Sequence, residues 1–342
     1  MKIDLRSDTL TKPTNEMLSF MMKAEVGDDV YKEDPTVNML EEKLASMFGM
    51  DSALYFPTGS MANQAAIKMH TQPGEQLIAD KYAHVYNYEG GGVSFNSGVS
   101  CKLIDGHRGM ITAPQVEAAI NPPDFYHSPL TSLVCLENTT NKGGGACYDL
   151  EEIKKIKQVC NTHGLGLHLD GARLWNAIVA TDSKATDFGE LFDTISVCLS
   201  KGLGAPMGSV LIGKKPLMDK AMRVRKVLGG GMRQMGYMAA AGLYALEHHI
   251  DRMAIDHKRA QELGALLANT DFVSNVEPMD TNILIFNLKK EVDQNVFTSQ
   301  LLSNDIYISD MGQGKLRIVT HYDYSQDAHD YLMNFLKNLK VE

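Results

Sequence analysis

The 342-residue chain predicts an α/β fold, a large domain with a mostly parallel sheet flanked by helices followed by a small C-terminal α+β domain. Three observations carry that reading. Apolar runs of strand length alternate with helical pattern between residues 130 and 201, the runs end in residues able to do chemistry, and the composition changes character near residue 250. The division falls at residues 1–250 and 251–342.

The series begins with Thr131 to Glu137, an apolar strand, and continues into a helix from Leu150 to His163. Asp149 is the expected N-cap, with Glu152 three residues later. Leu150, Ile153, Ile156 and Cys160 recur at helical spacing, and Gly164 ends the helix. A second strand from Leu165 to Asp170, an irregular or helical piece from Leu174 to Thr181, and a third strand from Thr194 to Ser200 complete a βαβ pattern whose strands run parallel. Upstream, Tyr55-Phe56 lead through the turn Pro57-Thr58-Gly59-Ser60 into a good helix. From Met232 to Thr270 the chain reads as long helix with a break near His249 to Asp251, joining the two domains. The small domain then offers a strand (Asn282 to Leu288), a helix (Val292 to Leu302), a strand (Leu316 to His321) and an amphipathic helix (Ala328 to Leu339) with Leu332, Phe335 and Leu339 on one face.

Charge and composition exclude several functions. The formal net charge of -9, with Lys and Arg scattered, provides no basic face for nucleic acid. The amino terminus lacks a basic-then-apolar leader, and no apolar run approaches the roughly 20 residues of a membrane span, so a cytoplasmic location is the default. Five cysteines without a CxxC spacing read as reduced core residues. With no HExxH and no His/Cys cluster, no metal site is expected.

In open α/β sheets ligands bind at the carboxyl ends of the strands, which here are Glu137-Asn138-Thr139, Asp170 and Lys201. Lys201 follows an apolar strand and precedes Gly202-Leu203-Gly204, the presentation a Schiff-base lysine needs. An amine forms an imine only after losing its proton, and partial burial lowers a lysine pKa from roughly 10.4. Asp170, in Leu169-Asp170-Gly171-Ala172-Arg173, supplies a carboxylate on a neighbouring strand. An acid and an imine lysine on successive strand ends suit pyridoxal phosphate. A helix starting at Gly59-Ser60 can hold a phosphate through its free amides and the Ser60 hydroxyl, although a plain Ser N-cap explains the same residues. His84 and His127 lie in polar loops between apolar runs. The glycine triplets starting at residues 90, 143 and 229 read as flexible turns sooner than as anion loops.

Together these segments resemble the low-specificity L-threonine aldolases, pyridoxal-phosphate enzymes of the aspartate-aminotransferase fold type (fold type I). The resemblance spans nearly the whole chain. It is carried by Asp4-Leu5-Arg6-Ser7-Asp8-Thr9, Gly27-Asp28-Asp29-Val30-Tyr31, Pro57-Thr58-Gly59-Ser60-Met61-Ala62-Asn63-Gln64, Leu136-Glu137-Asn138-Thr139, His168-Leu169-Asp170-Gly171-Ala172-Arg173 and Ser200-Lys201-Gly202-Leu203-Gly204-Ala205-Pro206.

The resemblance implies that Lys201 forms the Schiff base, Asp170 pairs with the pyridine nitrogen, His84 stacks on the ring, and Gly59 and Ser60 hold the phosphate. It further implies that Ser7, Arg173 and Arg317 clamp the substrate carboxylate, that Arg233 lies near the phosphate of an adjacent subunit, and that His127 is the second active-site histidine. The family commonly has Thr where Ser60 stands. A homotetramer, a dimer of dimers, is implied as well. The expected reaction is retro-aldol cleavage of threonine or allo-threonine to glycine and acetaldehyde, with His84, His127 or a water between them as base. An aminotransferase, racemase or β-eliminating lyase would need the same lysine, aspartate and arginine and differ only in which bond breaks. A scaffold without activity is the rival of another class, and intact Lys201, Asp170 and Arg173 argue against it.

Overall fold

A computed structural model describes residues 1–312 and 314–341 of the chain. Its strands are β1 (Ile3–Asp4), β2 (Ser52–Phe56), β3 (Gln76–Asp80), β4 (Ser100–Ile104), β5 (Thr131–Glu137), β6 (Gly166–Gly171), β7 (Thr194–Cys198), β8 (Ser209–Gly213), β9 (Val273–Val276), β10 (Ile283–Leu288), β11 (Ile306–Tyr307), β12 (Ser309–Gly312) and β13 (Lys315–Val319). Seven of them build the central sheet in the order β2-β8-β7-β6-β5-β3-β4. All neighbours are parallel except those of β8, which runs antiparallel to both β2 and β7.

The parallel pattern follows from the helices that cross between strands. The helix Leu150–His163 links β5 to β6, with Asp149 capping the Glu151 amide and Gly164 in the left-handed region closing the other end. Glu152, expected to close a capping box, instead accepts from the Ala113 amide at 2.8 Å, so it ties two helices together. Past β7 the expected long helix is two, Gly236–His248 and Met253–Leu267, broken where the sequence placed the break.

Side-chain alternation gives the sheet two different faces. Leu167, Leu169, Ile195 and Val197 belong to the main apolar core, packed with residues of the helices Pro35–Phe48 and Gly236–His248. The intervening His168, Asp170, Thr194 and Ser196 are buried yet polar. They face the helix Gly59–His70, where Asn63 and His70 meet them. A buried polar stripe of this kind needs internal partners, because water is absent.

A second, four-stranded antiparallel sheet has the order β12-β13-β10-β9. Its core, including Leu284, Phe286, Phe297, Leu316 and Leu332, also takes in Ile3 and Leu5. β1 pairs in parallel with β11, so the first residues of the chain pack with the C-terminal region. The two parts are tied elsewhere by Arg108, which donates to Asp280 at 3.1 Å, to the Pro278 carbonyl at 2.7 Å and to the Gly143 carbonyl at 3.0 Å. Among the described residues no helix is long and apolar enough to cross a membrane, and all five cysteines are free.

The glycines at 143–145 are not a flexible turn. A side-chain carbon on Gly145 would come within 2.2 Å of the Thr281 hydroxyl, whereas Gly164, at the same φ of +66°, has open space around it. Substituting Ala at 164 therefore costs only the left-handed strain, about 1 kcal/mol. Gly145→Ala adds a collision between the two parts of the chain. Denaturant unfolding of both variants should show a clearly lower midpoint for Gly145→Ala, and equal midpoints would refute the packing role.

Candidate active site

The carboxyl ends of β6 and β7 open on one cavity of about 370 Å³, lined among others by Gly59, Ser60, Asn63, His84, Glu89, Asp170, Cys198 and Lys201, and Glu137 at the end of β5 reaches it through the His84 amide. A larger groove of about 880 Å³ lies between the helices Gln294–Ser303 and Gln326–Asn338 and contains none of these groups. Chemistry, not size, marks the smaller one.

Lys201 stands three residues past β7, and its Nζ lies 3.2 Å from the Cys198 Sγ. Its carbonyl accepts from the Thr11 hydroxyl at 2.8 Å, which fastens the lysine loop to the N-terminal segment. Asp170 is buried, Oδ1 accepting from the Ala172 amide at 3.1 Å and Oδ2 from Asn63 Nδ2 at 3.0 Å. Each oxygen keeps a lone pair for a further donor.

The helix Gly59–His70 is capped by Thr58, whose hydroxyl accepts from the Met61 amide. Gly59 and Ser60 are thus its first two residues, and their amides have no acceptor within the helix. This is the arrangement that binds anions. Gly59 has a packing reason as well: a side-chain carbon there would sit 2.9 Å from Cys198 Sγ.

His84 donates its backbone N–H to Glu137 Oε2 at 2.8 Å, and its Nδ1 lies 3.0 Å from Glu89 Oε1. A carboxylate only accepts, so Nδ1 carries the hydrogen and Nε2 of the neutral ring is an acceptor. Burial pushes the His84 pKa down, but the Glu89 hydrogen bond and the charges of Asp170, Glu89 and Glu137 outweigh it and raise it above 6.5. Burial, then the Asp170 charge, lifts the Glu137 carboxyl to about 7 against two backbone hydrogen bonds. Among the described residues, His84, Glu89 and Asp170 bring ligand atoms within 4.8 Å of one another. Such a grouping of acceptors also suits the N–H of a cationic ring.

Arg173, next in sequence to the cavity-lining Ala172, lies close enough to Arg317 for their charges to interact, although neither lines the cavity itself. Arg173 is held by the buried Asp8 through Nε (2.8 Å) and Nη2 (2.6 Å), leaving the Nη1 side for another group. Arg317 donates to Asn141 Oδ1 at 2.8 Å and to the Arg6 carbonyl at 3.0 Å, while its buried Nε has no partner. Burial and then the Arg173 charge lower the Arg317 pKa. Two like charges and an unanswered N–H are the environment an anionic carboxylate relieves. Ser7 lies in the same N-terminal segment and its hydroxyl accepts from the Thr9 amide and hydroxyl.

Two expected residues are not brought here. His127 is exposed against Phe125 and Tyr126 in the loop before β5. The cavity lies toward the other end of that seven-residue strand, roughly 20 Å away at about 3.3 Å per residue, so His127 does not line the cavity of its own chain. Arg233 is exposed, bound to Asp28 at 2.7 Å, and does not line the cavity either. Conversely Asp8, Asn63 and Glu89 bind site residues without having been singled out for it, whereas Glu137 stood at an expected strand end.

Comparison with known proteins adds a family. The Beta-eliminating lyase family matches residues 4–291. The low-specificity L-threonine aldolase 1 of Arabidopsis thaliana is 38% identical, over 97% of this chain and 95% of the relative. The low specificity L-threonine aldolase of Escherichia coli K12 is also 38% identical, over 95% of each. Among solved structures, a Leishmania major threonine aldolase superposes with a TM-score of 0.84 at 21% identity, over 98% of both chains, which shows the fold. That fold is the fold type I of pyridoxal-phosphate enzymes.

Asp8 provides a test of the arginine pair. Burial would raise its pKa, but the Arg173 charge and hydrogen bonds, with Lys201 and His321 nearby, lower it below 3.8. A depressed carboxylate stabilises the fold above its unfolded pKa and loses that contribution as pH falls through the folded value. Asp8→Asn leaves a buried guanidinium without its counter-charge, and should cost about 3 kcal/mol at pH 7, with the gap to the parent closing below about pH 4. Urea unfolding at both pH values checks this, and a gap independent of pH would refute the ion-pair account.

Proposed function

Because the chain belongs to the Beta-eliminating lyase family, we propose that it is a pyridoxal-phosphate-dependent L-threonine aldolase, cleaving L-threonine or L-allo-threonine to glycine and acetaldehyde. The observation that carries this reading is one cavity lined by the Lys201 amine, the Asp170 carboxylate and the free amides of Gly59 and Ser60, with two arginines beside it. Their donor set fits the cofactor group by group: an amine for its aldehyde, an anion for its ring nitrogen, and a helix amino terminus for its phosphate.

When bound, the cofactor supplies the aldehyde that captures the amino acid and the ring that takes up electrons released at Cα. The side chains do the rest. Asp170 keeps a proton on the ring nitrogen, and its own two hydrogen bonds keep it there in one orientation. Arg173 and Arg317, with Ser7, would hold the substrate carboxylate and so fix which bond to Cα is presented for cleavage. His84 would lie beside the bound cofactor, and its Nε2 would take the proton of the β-hydroxyl as the aldehyde leaves. Glu89 stabilises the cation that results, since it holds Nδ1–H.

The same reading includes a homotetramer in a cytoplasmic setting, in which Arg233 serves the phosphate of an adjacent subunit, and an activity that degrades threonine and supplies glycine. Residues 1–250 form its large cofactor-binding domain and residues 251–342 its small C-terminal domain.

Three measurements test the proposal. Purified protein with added cofactor should release acetaldehyde and glycine in equal amounts from at least one threonine diastereomer, and a keto acid product or no product would sink it. Lys201→Ala should lose the yellow, borohydride-reducible chromophore together with turnover. For the base, kcat/KM falls as pH drops through the His84 pKa, which lies above 6.5. Removing the Glu89 charge with Glu89→Gln should move that acid limb to lower pH, and an unmoved limb would remove His84 from the role.

A further inference from the structure

Behind Asp170 a line of buried polar groups crosses the sheet. Asn63 Nδ2 donates to Asp170 Oδ2 at 3.0 Å and to Glu89 Oε1 at 2.8 Å, so its amide orientation is settled by two carboxylates. Its Oδ1 accepts from Ser196 Oγ at 2.6 Å and faces His168 Nε2 at 3.2 Å. An amide oxygen can only accept, so His168 carries its hydrogen on Nε2. In the neutral ring Nδ1 is then an acceptor, and its partner is the Thr194 hydroxyl at 2.9 Å rather than the Thr194 carbonyl at 3.2 Å. With its one hydrogen spent on His168, Thr194 Oγ1 accepts from His70 Nε2 at 2.9 Å.

Every hydrogen in this line points the same way. His70 donates to Thr194, Thr194 to His168, His168 to Asn63, and Asn63 to Asp170. Hydrogen bonds aligned head to tail polarise one another, and in a dry interior the effect accumulates at the end of the chain. That end is the carboxylate assigned to the ring nitrogen. Burial drives both His168 and His70 down to about 4. The neighbouring charges, Asp170 for His168 and Asp193, Lys157 and Lys220 for His70, do not restore either. Both rings are therefore neutral at physiological pH. Room for the first member is built in, since a side-chain carbon on Gly166 of β6 would lie 2.6 Å from His70 Nδ1.

We propose that His168 is a positioning residue for the reaction: with Thr194 and His70 it forms a one-directional hydrogen-bond relay that fixes Asn63 and, through it, the orientation and basicity of Asp170. The inference rests on the cofactor reading of the cavity. A core histidine present only for packing would also have its tautomer set by its partners, but would need no connection to the site.

The decisive measurement requires no variant. Nitrogen NMR of the full chain labelled at histidine, with and without cofactor, should show His168 and His70 protonated on Nε2 and unchanged between pH 6 and 8. A hydrogen on His168 Nδ1, or a titration in that range, would overturn the relay. Variants then measure its effect on the site. His168→Leu and Thr194→Val should weaken pyridoxal-phosphate binding by about 10-fold and lower kcat by a similar factor, with KM for threonine within about 3-fold. His168→Gln, which can donate to Asn63 and accept from Thr194, should recover most of both. If the Leu and Val variants bind cofactor and turn over as the parent does, the relay has no role. A parent protein that cleaves no threonine defeats the aldolase reading, whereas the tautomers and the cofactor affinities still judge the relay.

Discussion

The register of three parallel strands is the constraint on which the site depends. Glu137 of β5 lies opposite Asp170 of β6, and Asp170 opposite Ser196 of β7. Since side chains alternate across a strand, this register sets which groups face the helix Gly59–His70 and which enter the apolar core. A slip of one residue would turn Asp170 into the core and bring Leu169 to the cofactor side. The long apolar runs on the opposite face, Leu167, Leu169, Ile195 and Val197 among them, hold the strands against that slip.

Burial then sharpens every charge at the strand ends. Glu137, Asp170 and Glu89 converge on His84 and Asn63, and Asp8 meets Arg173 in direct contact at 2.6 Å. Buried carboxylates so close together are costly unless each is answered. The answers are distributed: backbone amides for Glu137, a side-chain amide shared by Asp170 and Glu89, a guanidinium for Asp8. What the arrangement leaves incompletely answered, the Arg317 Nε and the lone pairs of Asp170, is what a cofactor and a carboxylate substrate satisfy.

Much of this is legible in the amino-acid order because it is local. Capping at Asp149 and Gly164, strand ends at Glu137, Asp170 and Lys201, and the turn before Gly59 each depend on a few neighbouring residues. The ends of β6 and β7 shifted by a residue or two, as strand boundaries do when the hydrogen-bond ladder and not the apolar run decides them. The partners of Asp8, Glu89 and Arg317 lie across the fold, Asp8 and Arg173 being 165 residues apart, and no spacing announces them. Which end of β5 His127 borders is not announced by spacing either. A loop histidine near an active strand is ambiguous until it is known which end of the strand it borders. His168 and Thr194 carried a signal that was there to be read, a polar residue at every second position of a buried strand.

One feature of the architecture reaches into how the enzyme is made. The first strand, Ile3–Asp4, has its partner at Ile306–Tyr307, and the segment just after it supplies Asp8 for Arg173 and Thr11 for the Lys201 loop. On a ribosome residues 3–4 emerge long before residues 306–307 and can pair only once those have been translated. Until then Arg173 lacks its counter-ion and the lysine loop its anchor, so a nascent chain cannot present a finished pocket. Completion of the pocket in this way waits on residues 306–307, far from it in the chain.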